Sequence, residues 1–254
     1  SGNGIHCWKC DSMTISGNTI TGHRDGIYFE FVTNSIITNN HSIQNVRYGL
    51  HFMFSHNNQF AGNTFSGNGS GCAVMYSHNV MMTANTFSEN RGSASFGILM
   101  KEISDSYVSG NHFNQNTSGI YMEGTTRIHV LQNDFSKNGT AMRIQASCND
   151  NRMESNNFES NTFDVATNGS LVLNTFDGNY WDKYDGYDLD RDGTGDVPFH
   201  PVSMFSMLSE QVPEAMMLFH SFIVTLLDHA EKIIPTITPE NFRDDHPLMK
   251  PVTI

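Results

Sequence analysis

Gly49-Leu50-His51-Phe52-Met53-Phe54-Ser55-His56 is answered one repeat later by Gly71-Cys72-Ala73-Val74-Met75-Tyr76-Ser77-His78, and the reading of this pair decides the fold. The tetrad Met-aromatic-Ser-His recurs as Met53 to His56 and Met75 to His78, 22 residues apart. In a chain that stacks one repeat on the next, like positions become neighbours, so two thioethers and two imidazoles come into register. The same period runs outward in both directions from this pair. An Asn in an Asn-x-aromatic setting returns at Asn18, Asn40, Asn63, Asn85, Asn111, Asn133, Asn156 and Asn174. The spacing is 22 or 23 apart from an insertion near Arg91 to Phe96 and a short last step. Three positions before each stands an apolar residue, from Ile15 and Ile37 to Met153 and Leu171. Two positions after stands Ile20, Ser42, Phe65, Phe87, Phe113, Phe135, Phe158 or Phe176. A second Asn column runs from Asn45 and Asn68 to Asn161 and Asn179.

Helical repeats need longer units and a 3.6-residue periodicity. Here each unit is two or three short alternating runs broken by Asn and Gly, which tolerate left-handed turns. The pattern predicts an all-β chain: a right-handed parallel β-helix of about 22-residue coils over residues 1–179. Its inner columns would stack at the strand spacing of roughly 4.8 Å. Residues 180–200 read as an acidic loop closing the last coil, and 201–254 as a C-terminal helix with an extended tail. The helix is expected from Val212-Pro213-Glu214 onward, with Ala215, Leu218, Phe219, Phe222 and Leu226 on its apolar face. Packing across the solenoid end and docking to a membrane-embedded partner both fit that face. Prolines from Pro235 to Pro251 make the tail extended.

The composition bounds the function. Charged residues are 16% of the 254-residue chain and the net charge is −12, with acids clustered from Asp177 to Asp196. A chain so poor in basic residues does not suit a nucleic-acid partner. No apolar run reaches the roughly 18 to 20 residues that span a bilayer, so a membrane association would be peripheral. The chain opens in mid-pattern without a signal segment and reads as a mature or truncated fragment. Of four cysteines, Cys7 and Cys10 form a lone CxxC, which leaves metal binding, redox work and neither all open.

Alternation from the Gly positions puts one outward column at His6, Tyr28, His51, Ala73, Leu99 and Tyr121. The next outward column is Trp8, Glu30, Met53, Met75, Lys101 and Glu123. Met100 and Met122 face inward by the same count. Thioethers with imidazoles favour monovalent copper over Mg, Ca or Mn, which makes His51, Met53, His56, Met75 and His78 a candidate copper site. The competing reading is packing: the methionines against a neighbouring loop or partner, the histidines stacked at a corner. In the acidic loop, Asp188, Asp190, Asp192, Gly193 and Asp196 follow the D-x-D-x-D-G spacing of a calcium loop. Phe199 stands where an EF-hand has its bidentate Glu, so a rigid acidic turn is the alternative.

With RYGLHFMFSHNN, the Asn-x-Phe coils, GNYWDKYDGYDLDRDGTGDVPFHP, LFHSFIVTLLDHAEKIIP and DDHPLMKP in view, the chain resembles the carboxy-terminal portion of the NosD family. That resemblance implies a periplasmic, copper-associated β-helix protein of denitrification that is not an enzyme. It would assist copper-site assembly in nitrous oxide reductase, together with an ABC transporter permease and ATPase and a copper chaperone lipoprotein. Two other classes fit the coils alone: a carbohydrate-active or carbohydrate-binding β-helix, and a metal-free structural adaptor. The first needs acids and bases clustered on one face, whereas the outward columns supply Glu30, Lys101 and Glu123 on separated coils.

Overall fold

The structure is a computed structural model that describes residues 2–169, 173–211 and 242–254. The described chain winds into a right-handed parallel β-helix of about eight coils. Each coil gives one strand to each of three parallel sheets of eight strands. The first sheet contains Asp25–Glu30, Tyr48–Met53, Ser70–Met75 and Phe96–Lys101. The second begins at Thr14–Ser16 and the third at Thr19–Thr21.

Three kinds of column hold the coils in register. Stacked rings run through the core as Phe65, Phe87, Phe113, Phe135, Phe158 and Trp181, with successive centroids 5.2, 5.0, 4.7, 5.0 and 4.1 Å apart. Glycine at the opposite wall lets the rings in, for a Cβ on Gly49 would lie 2.7 Å from the Gly71 carbonyl and 2.9 Å from the Phe65 ring. At one corner the backbone N–H and side-chain amide of each Asn donate to the Oδ1 of the next. This ladder passes from Asn18 through Asn40, Asn63, Asn85, Asn111, Asn133 and Asn156 to Asn179. A second ladder links Asn45, Asn68, Asn90, Asn116, Asn138 and Asn161. These buried amides fill the demand of the turns for partners, which an apolar residue could not do.

The last coil corrects the expected alignment. Asn174 belongs to a third corner, where it accepts from Asn151, and the first ladder continues to Asn179 instead. Phe176 is the partner of Met153, and Trp181 takes the ring position of Phe158. The last step is therefore regular. Leu171 lies outside the described residues.

Beyond Trp181 the chain folds back over the end of the solenoid. Phe199 packs on Trp181 and Phe242 on Phe176, at centroid distances of 5.2 and 6.2 Å. Asp244, wholly buried, accepts from the Gly178 and Asn179 backbones, the Asn179 amide and the Trp181 indole N–H. Leu248 bridges to Tyr180 and Thr194, and Val252 exchanges hydrogen bonds with the Asn157 side chain. The tail around Pro247 and Pro251 runs along this end. A helix is described at Met204–Gln211; the helix expected from Val212 onward falls outside the described residues. Among the described residues no helix is long and apolar enough to cross a membrane.

Candidate metal centre

Tyr48–Met53 and Ser70–Met75 pair in parallel with Met53 opposite Met75 and His51 opposite Ala73. Both methionines are half-buried, so their thioethers remain on the outer face, while Met100 and Met122 are sealed in the core. In the next coil Lys101 is held by Glu123 through a 2.8 Å ion pair.

A corner follows each methionine. Phe54 and Tyr76 take positive φ values of 49° and 52°, as does Phe31 at 56° one coil earlier. That region is unusual for bulky residues. Their rings are exposed and stack at 5.3 and 5.0 Å. The strained turn is pinned by serines. Ser55 and Ser77 hydroxyls donate to the Met53 and Met75 carbonyls at 2.9 Å, and the Ser55 N–H donates to Ser77. Beyond the corner His56 and His78 stack with centroids 4.0 Å apart and planes 11° apart. The His78 backbone N–H donates to His56 Nδ1 at 3.2 Å, which places the proton of a neutral His56 ring on Nε2. His56 is held below the usual histidine range, by burial first and by the neighbouring His78 second. His56 would have to give up that bond or that proton to ligate a metal; His78 is the more exposed of the two.

His51 differs from the expected outward, exposed side chain. It points outward by alternation, but the Tyr28 and Tyr48 rings flank it at 4.9 and 4.8 Å, leaving it 5% exposed. Its Nδ1 lies 3.4 Å from the Arg47 guanidinium and 3.8 Å from Asp25 Oδ2. Arg47 grips Asp25 through both of its oxygens. Burial alone would raise the Asp25 carboxyl; His51 and Arg47 outweigh it and hold the group well below the usual carboxylate range. His51 Nε2 is buried without a hydrogen-bond partner. A buried imidazole nitrogen normally has one. Asp25 is beyond hydrogen-bond distance of Nδ1 and the Arg47 donor is nearer, so Nε2 offers a lone pair to a metal only in the tautomer that carries its proton on Nδ1. The donors present, two thioethers and imidazole nitrogen, fit a soft monovalent ion. Sequence alternation locates His51 but not the Asp25–Arg47 pair behind it, because that pair arises only when two adjacent coils stack.

In the acidic loop, one oxygen from each of Asp188, Asp190 and Asp192 lies within 4.8 Å of the others. Arg191 and Gly193 at φ 63° and 93° bend the chain to bring them together. Asp196 does not join the three: it accepts from the Leu189 N–H at 2.7 Å. Asp188 accepts from the Arg191, Asp192 and Gly193 backbones. Desolvation is the largest single effect and would raise its carboxyl; these backbone bonds and Asp190 together outweigh it and lower the group below the usual range. The second sheet carries a groove of about 720 Å³ lined by Asp105, Tyr107, Arg127, His129 and Arg152 among others. Asp105 is bound there by Arg127 through two hydrogen bonds of 2.6 and 2.8 Å.

Residues 1–186 match the family described as periplasmic copper-binding protein (NosD). A probable ABC transporter binding protein NosD from Pseudomonas aeruginosa is 29% identical over 173 residues, covering 61% of this chain. Its counterpart from Stutzerimonas stutzeri is 28% identical over 174 residues, again 61% of this chain. The chain spans about 40% of the length of each of these relatives. Among solved structures, the A-modules of the Azotobacter vinelandii mannuronan C-5 epimerases AlgE4 and AlgE6 share the fold, with TM-scores of 0.56 and 0.57 at 20% and 19% identity. They cover 65% and 66% of this chain, which covers 54% and 53% of theirs.

Proposed function

The chain belongs to the NosD family, and from that premise we propose that it is a periplasmic accessory protein that takes up copper and passes it on as cargo. The corner formed by Met53, Met75, His51, His56 and His78 is the holding site. One observation carries this reading: Met53 and Met75 are strand partners on the outer face, and His51 in the same strand keeps a buried Nε2 with no partner. Two thioethers and an imidazole favour Cu(I). Asp25 and Arg47 would hold the His51 ring in place, and the serine corner would fix the path from each Met to its His.

The permease and ATPase of an ABC transporter, a copper chaperone lipoprotein and nitrous oxide reductase are the partners this role implies, with the chain peripheral to the membrane. We read the chain as non-catalytic. In the groove of the second sheet Asp105 is taken up by Arg127, which leaves Asp150 as its other acid; a lone carboxylate is not the pair that glycosidic hydrolysis uses. No turnover of uronate polymers is expected. The Asp188, Asp190 and Asp192 loop is proposed as a calcium site that rigidifies the closing segment. Its check is a rise in melting temperature on adding Ca²⁺ that Asp190→Asn abolishes.

Anaerobic titration with Cu(I) against a competing chromophoric chelator tests the copper reading. The Met53→Ala/Met75→Ala variant should lose the copper equivalent held at this corner while keeping close to the wild-type melting temperature. Unchanged affinity and stoichiometry in that variant would remove the site.

A further inference from the structure

Cys7 and Cys10 are not used by the site above, and their placement is specific. Lys9 between them takes φ 51° and turns the chain through the same corner that Phe31, Phe54 and Tyr76 turn in later coils. Cys7 is the strand partner of Phe29, on the inner face. Asp11 bridges to Thr33, and Thr33 to His56, so Cys10 lies in the column that continues through Val32 to Ser55. Its thiol donates to the Trp8 carbonyl at 3.4 Å, as the Ser55 hydroxyl donates to the Met53 carbonyl at 2.9 Å. The two cysteines thus flank the inside of one corner, three residues apart in sequence. Both are unbridged thiols, Cys7 buried and Cys10 half-buried.

We propose that Cys7 and Cys10 form a second soft-metal site, a two-sulfur clasp for one Cu(I) ion. The chemistry follows from the donor set. Thiolate suits Cu(I), zinc and iron–sulfur clusters; structural zinc and the clusters take four protein ligands, so two sulfurs on either side of a tight corner suit Cu(I), a monovalent ion of low coordination number. Binding replaces two S–H bonds by two Cu–S bonds and releases two protons with no change of oxidation state. Burial raises the Cys7 thiol, with Cys10 adding to the effect; Cys7 therefore stays protonated until a metal displaces its proton. The resulting unit carries one negative charge, and Lys9 is the one Lys or Arg among residues 1–22. The clasp sits on the corner of Met53 and His56, two coils away, or about 10 Å at the strand spacing. Its existence does not depend on the Met53–Met75 site, although the choice of copper as the ion rests on that reading.

The test uses the reduced protein under anaerobic conditions, titrated with Cu(I) against a chromophoric chelator, with free thiols counted before and after loading. Wild type should bind one more equivalent than Cys7→Ser/Cys10→Ser, and two thiols should become unreactive on loading. Cys10→Ser alone places in this column the residue type of Ser55 and Ser77, so it should fold normally and still lose that equivalent. Met53→Ala/Met75→Ala should keep it, which separates failure of this site from failure of the other. The same stoichiometry in Cys10→Ser as in wild type, or both thiols remaining reactive in the copper-loaded protein, would overturn the proposal.

Discussion

Asp244 accepts from Asn179 the same two hydrogen bonds, backbone and side-chain, that Asn179 accepts from Asn156. It is therefore the terminal rung of the ladder, supplied by a segment 65 residues further along. Asp244→Ala leaves buried donors on Gly178, Asn179 and Trp181 unpaired. Unsatisfied buried donors cost about 1 to 3 kcal/mol each, so a loss of about 3 kcal/mol or more is expected in denaturant unfolding. Asp244→Asn keeps an acceptor and should lose less than Asp244→Ala; equal losses would mean that the rung is not what matters.

The methionines divide into two kinds. Met100→Ala or Met122→Ala empties a sealed core position and should cost about 2 to 5 kcal/mol with copper affinity unchanged. Met53→Ala or Met75→Ala should do the opposite, shifting stability by less than about 1 kcal/mol while copper affinity falls. Isothermal copper titration and thermal unfolding of the four single variants read both effects.

His56 is held below the ordinary histidine range, so its neutral form is the one the fold favours. Its contribution to stability is complete above about pH 6.5 and disappears as pH falls through the lowered value. Protons should likewise compete with metal at His56 only at the lower pH. An NMR titration of the ring should show a midpoint below that of an exposed imidazole. His78→Gln, which removes the second cause, should move it upward; a midpoint at or above the ordinary value in the wild type would contradict the stacked geometry.

At the other end the sign reverses. His246 Nδ1 lies 2.7 Å from Asp177 Oδ1, and this contact raises the histidine above its usual value. The ion pair is present below about pH 6.5 and is lost as pH rises through the raised value. Both groups are exposed and the effect on global stability is small. Limited proteolysis of the tail should be faster at pH 9 than at pH 6, and Asp177→Asn should erase the difference.

Asp25 sits well below the carboxylate range. The stability it provides is full above about pH 4 and is lost as pH falls through the lowered value. Asp25→Asn weakens the charged contact with Arg47 and should cost about 2 kcal/mol. It also loosens His51, so copper affinity should fall while Met53 and Met75 stay untouched. Unaltered affinity in this variant would exclude His51 as a ligand oriented from behind.

The coils were legible because one side chain type is repeated at each column: an error at one position is outvoted by the others. Counting misaligns the last coil for the same reason. Asn174 and Asn179 both satisfy the pattern, and the ring column ends in Trp181 where five Phe precede it. Met53 opposite Met75 follows from counting alone. The burial of His51 does not, because it depends on how Tyr28 and Tyr48 lean across from the coil above and from three residues back. Asp244 was out of reach: nothing local in DDHPLMKP marks an aspartate as the continuation of an asparagine series.

The column Trp8, Glu30, Met53, Met75, Lys101 behaves like a ruler, with one mark per coil and the distance between marks set by backbone pairing rather than by the side chains themselves. A cargo that needs two sulfurs finds them at one notch spacing and nowhere else along this edge. Exchanging a residue at a mark changes the chemistry there without moving its neighbours. Glu30→Met would lengthen the sulfur scale by one notch, and Met75→Glu would erase it, each by a single codon.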